Sequence, residues 1–163
     1  MKPIKIFSIL LMLCLGIATV ATAQPAVVKK AANTTFTLTT FDAKGSILST
    51  SNGVFVSNNG ICVSTWKPFV GAMKAEVTDN NGQKYSVETI LGANELYDVA
   101  KFKITAKTNA ALFAPSVVAN SAAWIVMPSQ AGDPVKANID KVEKFMTKYN
   151  YCVLSTTASE KYN

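Results

Sequence analysis

The stretch from Gly53 to Thr65, GVFVSNNGICVST, constrains the fold more than any other part of the chain. Two β-branched runs flank Asn58-Asn59-Gly60, and Asn and Gly tolerate the positive φ angles of tight hairpin turns. The segment therefore predicts two antiparallel strands. The same grammar recurs on both sides of it. In Thr34 to Phe41, Phe36 and Leu38 alternate with Thr37 and Thr39, giving a strand with one buried face. The turn Asp42-Ala43-Lys44-Gly45 leads into a second extended piece at Ile47 and Leu48. Met73, Ala75 and Val77 share one face of a further strand, and Asp79-Asn80-Asn81-Gly82 is a second hairpin turn before Tyr85, Val87 and Thr89. From Asp98 onward, Ala100, Phe102 and Ile104 form an inward set between Val99, Lys101 and Lys103. Short strands at near-regular spacing favour an antiparallel barrel or sandwich.

Beyond Thr108 the hydrophobic periodicity fades and Ala, Asn and Thr dominate, which places a linker at 108–122 after a barrel at 34–107. Ala123 to Met127 reads as a strand ending at Pro128, and Tyr149 to Leu154 as another. Residues 134–149 carry two patterns. Asp133-Pro134 would cap a helix with Val135, Ile139, Val142 and Tyr149 on one stripe, whereas Val135, Ala137 and Ile139 also alternate as in a strand.

The N-terminus reads as a secretory signal. Lys2 and Lys5 precede an apolar run from Ile6 to Ala21, and Ala21-Thr22-Ala23 offers a small-x-small cleavage site before Gln24. An uncleaved anchor is the other reading, but the run is short for a span of about 20 residues. Cleavage gives an exported, periplasmic or secreted chain with residues 24–33 as a leading linker, and takes the net charge from +6 to +4.

Composition excludes several chemistries. All 16 basic residues are lysine and they are scattered, so no Arg fork is present for guanine or phosphate, and a nucleic-acid partner is not expected. Histidine is absent, which removes the commonest general base near neutral pH and the commonest metal ligand; no metal or cofactor is expected. Cys62 and Cys152 lie after the signal segment. An oxidising compartment would let them pair, but Cys62 sits between Ile61 and Val63 in an apolar run and reads as a buried free thiol. The sequon Asn33-Thr34-Thr35 is incidental in an export context of bacterial type.

From Thr34 to the end, and most clearly over residues 45–105, the order of elements resembles the trypsin-like serine peptidases of the bacterial periplasmic branch. In that family a glycine-rich strand, an N-G or D-G hairpin and T-x-x-H-V precede D-[LV]-A-x-x-[KR]. Here the first motif stands as GVFVSNNGICVSTWKPFVGA and the second begins at Asp98 in Tyr97-Asp98-Val99-Ala100. The resemblance implies an all-β, chymotrypsin-like N-terminal barrel, with 123–163 as the start of an incomplete second barrel. It places Asp98 at the orienting aspartate and Lys67 where the family has its general-base histidine. A serine peptidase needs an imidazole that accepts the hydroxyl proton and returns it to the leaving amine. A lysine is ordinarily protonated and cannot take the first step. No G-[ND]-S-G-G turn occurs, and neither Ser155 nor Ser159 has the glycines such a turn requires.

Three functions follow as expectations. The first is an exported, non-catalytic trypsin-like fold that binds a peptide or protein partner, with Trp66 and Phe69 as groove candidates, although both also suit core or rim packing. The second is an N-terminal fragment of a longer trypsin-like serine endopeptidase. The third, a Ser-Lys hydrolase using Lys67, conflicts with an adjacent carboxylate, which favours the charged ammonium. Asp98 itself is expected to accept backbone hydrogen bonds or to pair with a lysine, and an ion pair with Lys67 is the partner that the alignment suggests.

Overall fold

A computed structural model of the chain describes residues 26–128, 133–145 and 149–156. The expected signal segment at 1–23 and Ser159 lie outside them, as does the side chain of Cys152.

Period-2 alternation builds the core. In β1 (Thr35–Phe41) Phe36, Leu38 and Thr40 point inward and are fully buried. The strands that follow are β2 (Ile47–Phe55), β3 (Ile61–Ser64), β4 (Lys74–Thr78), β5 (Lys84–Asn94) and β6 (Val99–Ile104). They close into an antiparallel barrel in the order β1-β2-β3-β6-β5-β4, with β4 returning to pair with β1. Every side chain of the predicted inward set Ala100, Phe102 and Ile104 is buried to 0% exposure, while Val99 and Lys101 are exposed and Lys103 is half-buried. Phe36 is the hub, its ring 4.8 Å from that of Phe55 and 6.0 Å, edge-on, from that of Phe102. Burying each such ring contributes about 1.5–3 kcal/mol, so Phe36, Phe55 and Phe102 are the largest individual contributors to the core.

The turns follow from their residues. Asp42 Oδ1 accepts the amides of Lys44 and Ser46, and Asp79 Oδ1 those of Asn81 and Gln83, so one local carboxylate folds each loop. The predicted Asn58–Gly60 hairpin joins β2 to β3, closed by Val56 N–H donating to Ile61 O at 2.9 Å. Gly60 has φ +84°, and a Cβ there would fall on the carbonyl oxygen of Ile104. Only glycine meets both conditions.

Two parts of the chain differ from, or decide between, the sequence readings. Within the expected linker 24–33, Ala26–Ala32 forms a short helix, α1, that buries Val28. Ala and Lys are good helix formers and dominate it. The ambiguous stretch resolves as strand β8 (Val135–Phe145), which pairs with β7 (Ser121–Ile125) and β9 (Tyr149–Thr156) in a three-stranded antiparallel sheet. Ala137 is buried and Val135 and Ile139 are half-buried, while Lys136, Asn138 and Asp140 are exposed. The two-residue period wins because Val135 and Ile139 are β-branched and Asn138 and Asp140 are poor helix formers.

The segment after β6 is not loose at its start. Thr108 Oγ1 donates to Ser57 O at 2.6 Å and accepts from Gly60 N–H at 3.2 Å, while the amides of Ala110 and Ala111 donate to Asn58 Oδ1 and Phe55 O. Cys62 is a free, fully buried thiol opposite Phe102, as its apolar neighbours suggested. Burial pushes its pKa up to about 12.

Candidate functional site

The region singled out by the sequence lies at one end of the barrel, where the β3 exit meets the β5–β6 turn. After Ser64 the chain passes through Thr65 and Trp66 into a 3-10 turn at Lys67–Phe69. Pro68 sets that turn, since its fixed φ suits a first helical turn and its missing N–H costs nothing there. Phe69 and Val70 amides donate back to Trp66 O and Lys67 O at 2.9 and 3.1 Å.

The leading amides of the turn need acceptors, and Asp98 supplies them from across the fold. Its Oδ1 accepts Trp66 N–H at 2.9 Å and Lys67 N–H at 2.7 Å. Its main-chain carbonyl takes a share of the same Trp66 N–H at 3.3 Å, and its own amide donates to Glu95 O at 3.2 Å. Asp98 reaches this position with φ +50°, in the left-handed region that Asp and Asn tolerate better than other side chains. A carboxylate distant in sequence thus acts as the N-terminal cap of the strap that carries Lys67.

Of the two possible partners for Asp98, the structure contains the backbone and not the lysine ammonium. The Lys67–Asp98 ion pair suggested by the alignment does not form. Lys74 pairs with Glu76 and Lys141 with Glu143, and neither pair involves position 67 or 98. Lys67 is exposed. Because Asp98 engages the main chain at position 67, its grip on the strap does not depend on which side chain stands there.

Trp66 and Phe69 are both half-buried and pack on the barrel core. Their rings stack at 6.1 Å, and Phe69 meets Phe102 edge-on at 5.2 Å. The two differ in their outer faces. Phe69 lines an open groove of about 250 Å³ with Met73, Ala75, Val87 and Ile90, and Trp66 does not. The groove exists because β4 and β5 diverge. Their ladder runs only from Glu76↔Ser86 to Thr78↔Lys84, after which β5 continues to Asn94 paired with β6 alone. Irregularities between Val87 and Thr89 and between Ile90 and Gly92 bend β5 away. Met73 and Ile90, at 74% and 41% exposure, leave apolar surface on the rim.

Ser64 is buried and donates to Asn52 O at 2.7 Å, and Ser155 is an exposed residue of β9 that donates to Asp140 at 2.7 Å. Among the described residues no three His, Cys, Asp or Glu side chains come together as a metal site.

No protein-family model matches the chain, and no curated protein matches it in sequence. Its fold does have solved counterparts. One is an HtrA-type protease, AlgW in a serine-to-alanine variant with a tripeptide, which superposes with a TM-score of 0.62 at 15% identity. The match covers 77% of this chain and 43% of that one. At that identity the likeness is one of fold. Together with the closed six-stranded antiparallel barrel, it makes this a trypsin-like fold.

Proposed function

We propose that this chain is an exported, non-catalytic protein that uses a trypsin-like fold to bind an extended peptide segment of a partner. The observation that carries the non-catalytic half is the commitment of Asp98 Oδ1 to the amides of Trp66 and Lys67, with no imidazole in the chain for it to orient. A carboxylate in this role stabilises the strap and moves no proton. The binding half is supported by the Phe69 groove. The open side of β5 leaves backbone groups to which an added strand can hydrogen-bond, and Met73, Val87 and Ile90 offer apolar contact beside it. Export is supported by the composition of residues 1–23.

Incubating the processed protein with a serine-reactive fluorophosphonate and with an unfolded protein substrate tests the first half. Neither labelling nor cleavage is expected, and labelling that Lys67→Ala abolishes would overturn the reading. A peptide-array screen tests the second half: binding is expected to weaken at least fivefold in Ile90→Lys, and equal binding by that variant counts against the groove. Recovery of a product beginning at Gln24 from the periplasm or medium tests export.

The 43% coverage of the HtrA-type protease favours one second reading, that these residues are the N-terminal part of a longer trypsin-like serine endopeptidase. The intact mass of the native protein distinguishes the two, a value well above 17.4 kDa supporting the longer chain.

A further inference from the structure

The end of the barrel remote from Asp98 carries a different surface. There the end of α1, the β4–β5 turn and the segment after β6 converge around two adjoining hollows of about 270 and 260 Å³, which share Asn33 and Asn109 as a common wall. Each is close to the lower end, about 300 Å³, of small-molecule sites. We propose that these hollows bind an acidic saccharide, one uronate-type unit in each.

The lining chemistry selects that class. The first hollow is lined by Asn80, Asn81 and Lys107, the second by Asn58 and Lys30, in addition to the shared pair. A carboxamide presents a donor and an acceptor together, the pattern that matches hydroxyl groups, which also donate and accept. Apolar peptide side chains would find little to contact, since the first hollow offers mostly polar surface. Each hollow holds one lysine, so the charge is divided between two units and not gathered on one anion. Asp79 also lines the first hollow and offsets the charge of Lys107 there; its carboxylate accepts the amides of Asn81 and Gln83 and the Tyr85 hydroxyl, so in that hollow an acidic unit is recognised by direct contact with Lys107 and the carboxamide donors and not by a net positive field. Burial and Asp79 together raise the pKa of Tyr85, so that hydroxyl keeps its proton.

Some lining groups, Asn58 Oδ1 and Asn80 Nδ2 among them, are spent on holding the walls. The Thr108 and Ala110 hydrogen bonds hold the segment after β6, Asn80 Nδ2 ties the β4–β5 turn to Ala32 O, and Thr34 and Thr35 hydroxyls close the end of α1. In contrast, the side chains of Asn33, Asn109, Lys30 and Lys107 make no hydrogen bond or ion pair with another described residue. A preformed frame with unused polar ends lowers the ordering cost of binding.

Titration of the whole ¹⁵N-labelled chain with digalacturonate tests this. Saturable shifts are expected at Asn33, Asn81, Lys107 and Asn109, with Trp66 and Lys67 unmoved. The neutral disaccharide galactobiose is expected to bind at least fivefold more weakly, and Lys107→Met to narrow that preference at least threefold. Asn109→Ala is expected to weaken both ligands at least fivefold. Both substituted residues are exposed, and an unchanged circular dichroism spectrum verifies folding. Absence of saturable shifts, shifts centred on the Phe69 groove, or equal occupancy by inorganic phosphate would overturn the proposal. The peptide reading is read from a different set of resonances and stands or falls separately.

Discussion

Replacing Asp98 separates its roles because the structure assigns it three features: a carboxylate acceptor, a left-handed φ and no ion pair. Asp98→Ala removes the acceptor for Trp66 and Lys67 amides, a loss of about 1–2 kcal/mol for a capping contact. Trp66 N–H keeps part of its bonding through Asp98 O, which holds the figure to that range. Alanine at φ +50° adds about 1–2 kcal/mol. The expected cost is therefore about 2–4 kcal/mol, a fall of about 1–2 M in the urea midpoint at an m-value of about 2 kcal/mol/M. Asp98→Asn keeps an acceptor oxygen and the tolerance for positive φ, so about 1 kcal/mol or less is expected. Asp98→Gly keeps only the φ and should fall between them. Lys67→Ala should change stability by no more than about 0.5 kcal/mol, the range of an exposed side chain without a partner. In the double variant the two effects should add within about 0.5 kcal/mol. Urea unfolding followed by far-UV circular dichroism measures all five. A coupling above about 1 kcal/mol between positions 67 and 98, or Asp98→Asn as damaging as Asp98→Ala, would refute the assignment of the carboxylate to the backbone.

Other outcomes follow from separate features. Gly60→Ala should cost about 3 kcal/mol or more because it combines positive φ with a clash on Ile104 O, whereas Gly82→Ala, with positive φ in open space, should cost about 1 kcal/mol; equal losses would contradict the packing at Gly60. Between pH 9 and about 12 the unfolded chain loses the Cys62 proton while the native chain keeps it, so stability should fall with rising pH, by up to about 1.4 kcal/mol per pH unit. Cys62→Ala should show a shallower decline by chemical denaturation, and parallel slopes would argue against the burial of that thiol. Phe69→Ala should destabilise the barrel by about 2–4 kcal/mol through lost contact with Trp66 and Phe102, and a change under about 1 kcal/mol would show that its packing is incidental.

The barrel was legible wherever one face is buried. Ala100, Phe102 and Ile104 announce their face because a one-residue slip would expose all three. The Asn58–Gly60 turn announces itself because few residues accept its backbone. Residues 134–149 were ambiguous because Val135 and Ile139 fit a helical stripe and a strand face equally, and pairing with β7 and β9 decides between them. Helix α1 was hidden by its brevity: seven residues with one buried side chain, Val28, are too few to show an apolar stripe. At the candidate site, alignment placed positions 67 and 98 together but not their atoms. Which group of residue 67 meets Asp98 depends on how the Pro68 turn aims its amides. The amide-lined hollows left no linear signal, since Asn33, Asn80 and Asn109 meet only after the sheet closes.

The capping bond from Asp98 also bears on which positions at this end of the barrel the fold can exchange. The side chain at position 67 can be exchanged with little effect on folding, because it is exposed and bears on no core contact. The aspartate has no such freedom, since its removal unfastens a strap from the barrel. Tolerance is therefore asymmetric: position 67 can be exchanged freely, while Asp98 is held in place by stability alone. An aspartate at this place therefore reports an intact scaffold, and its presence alone does not report on activity.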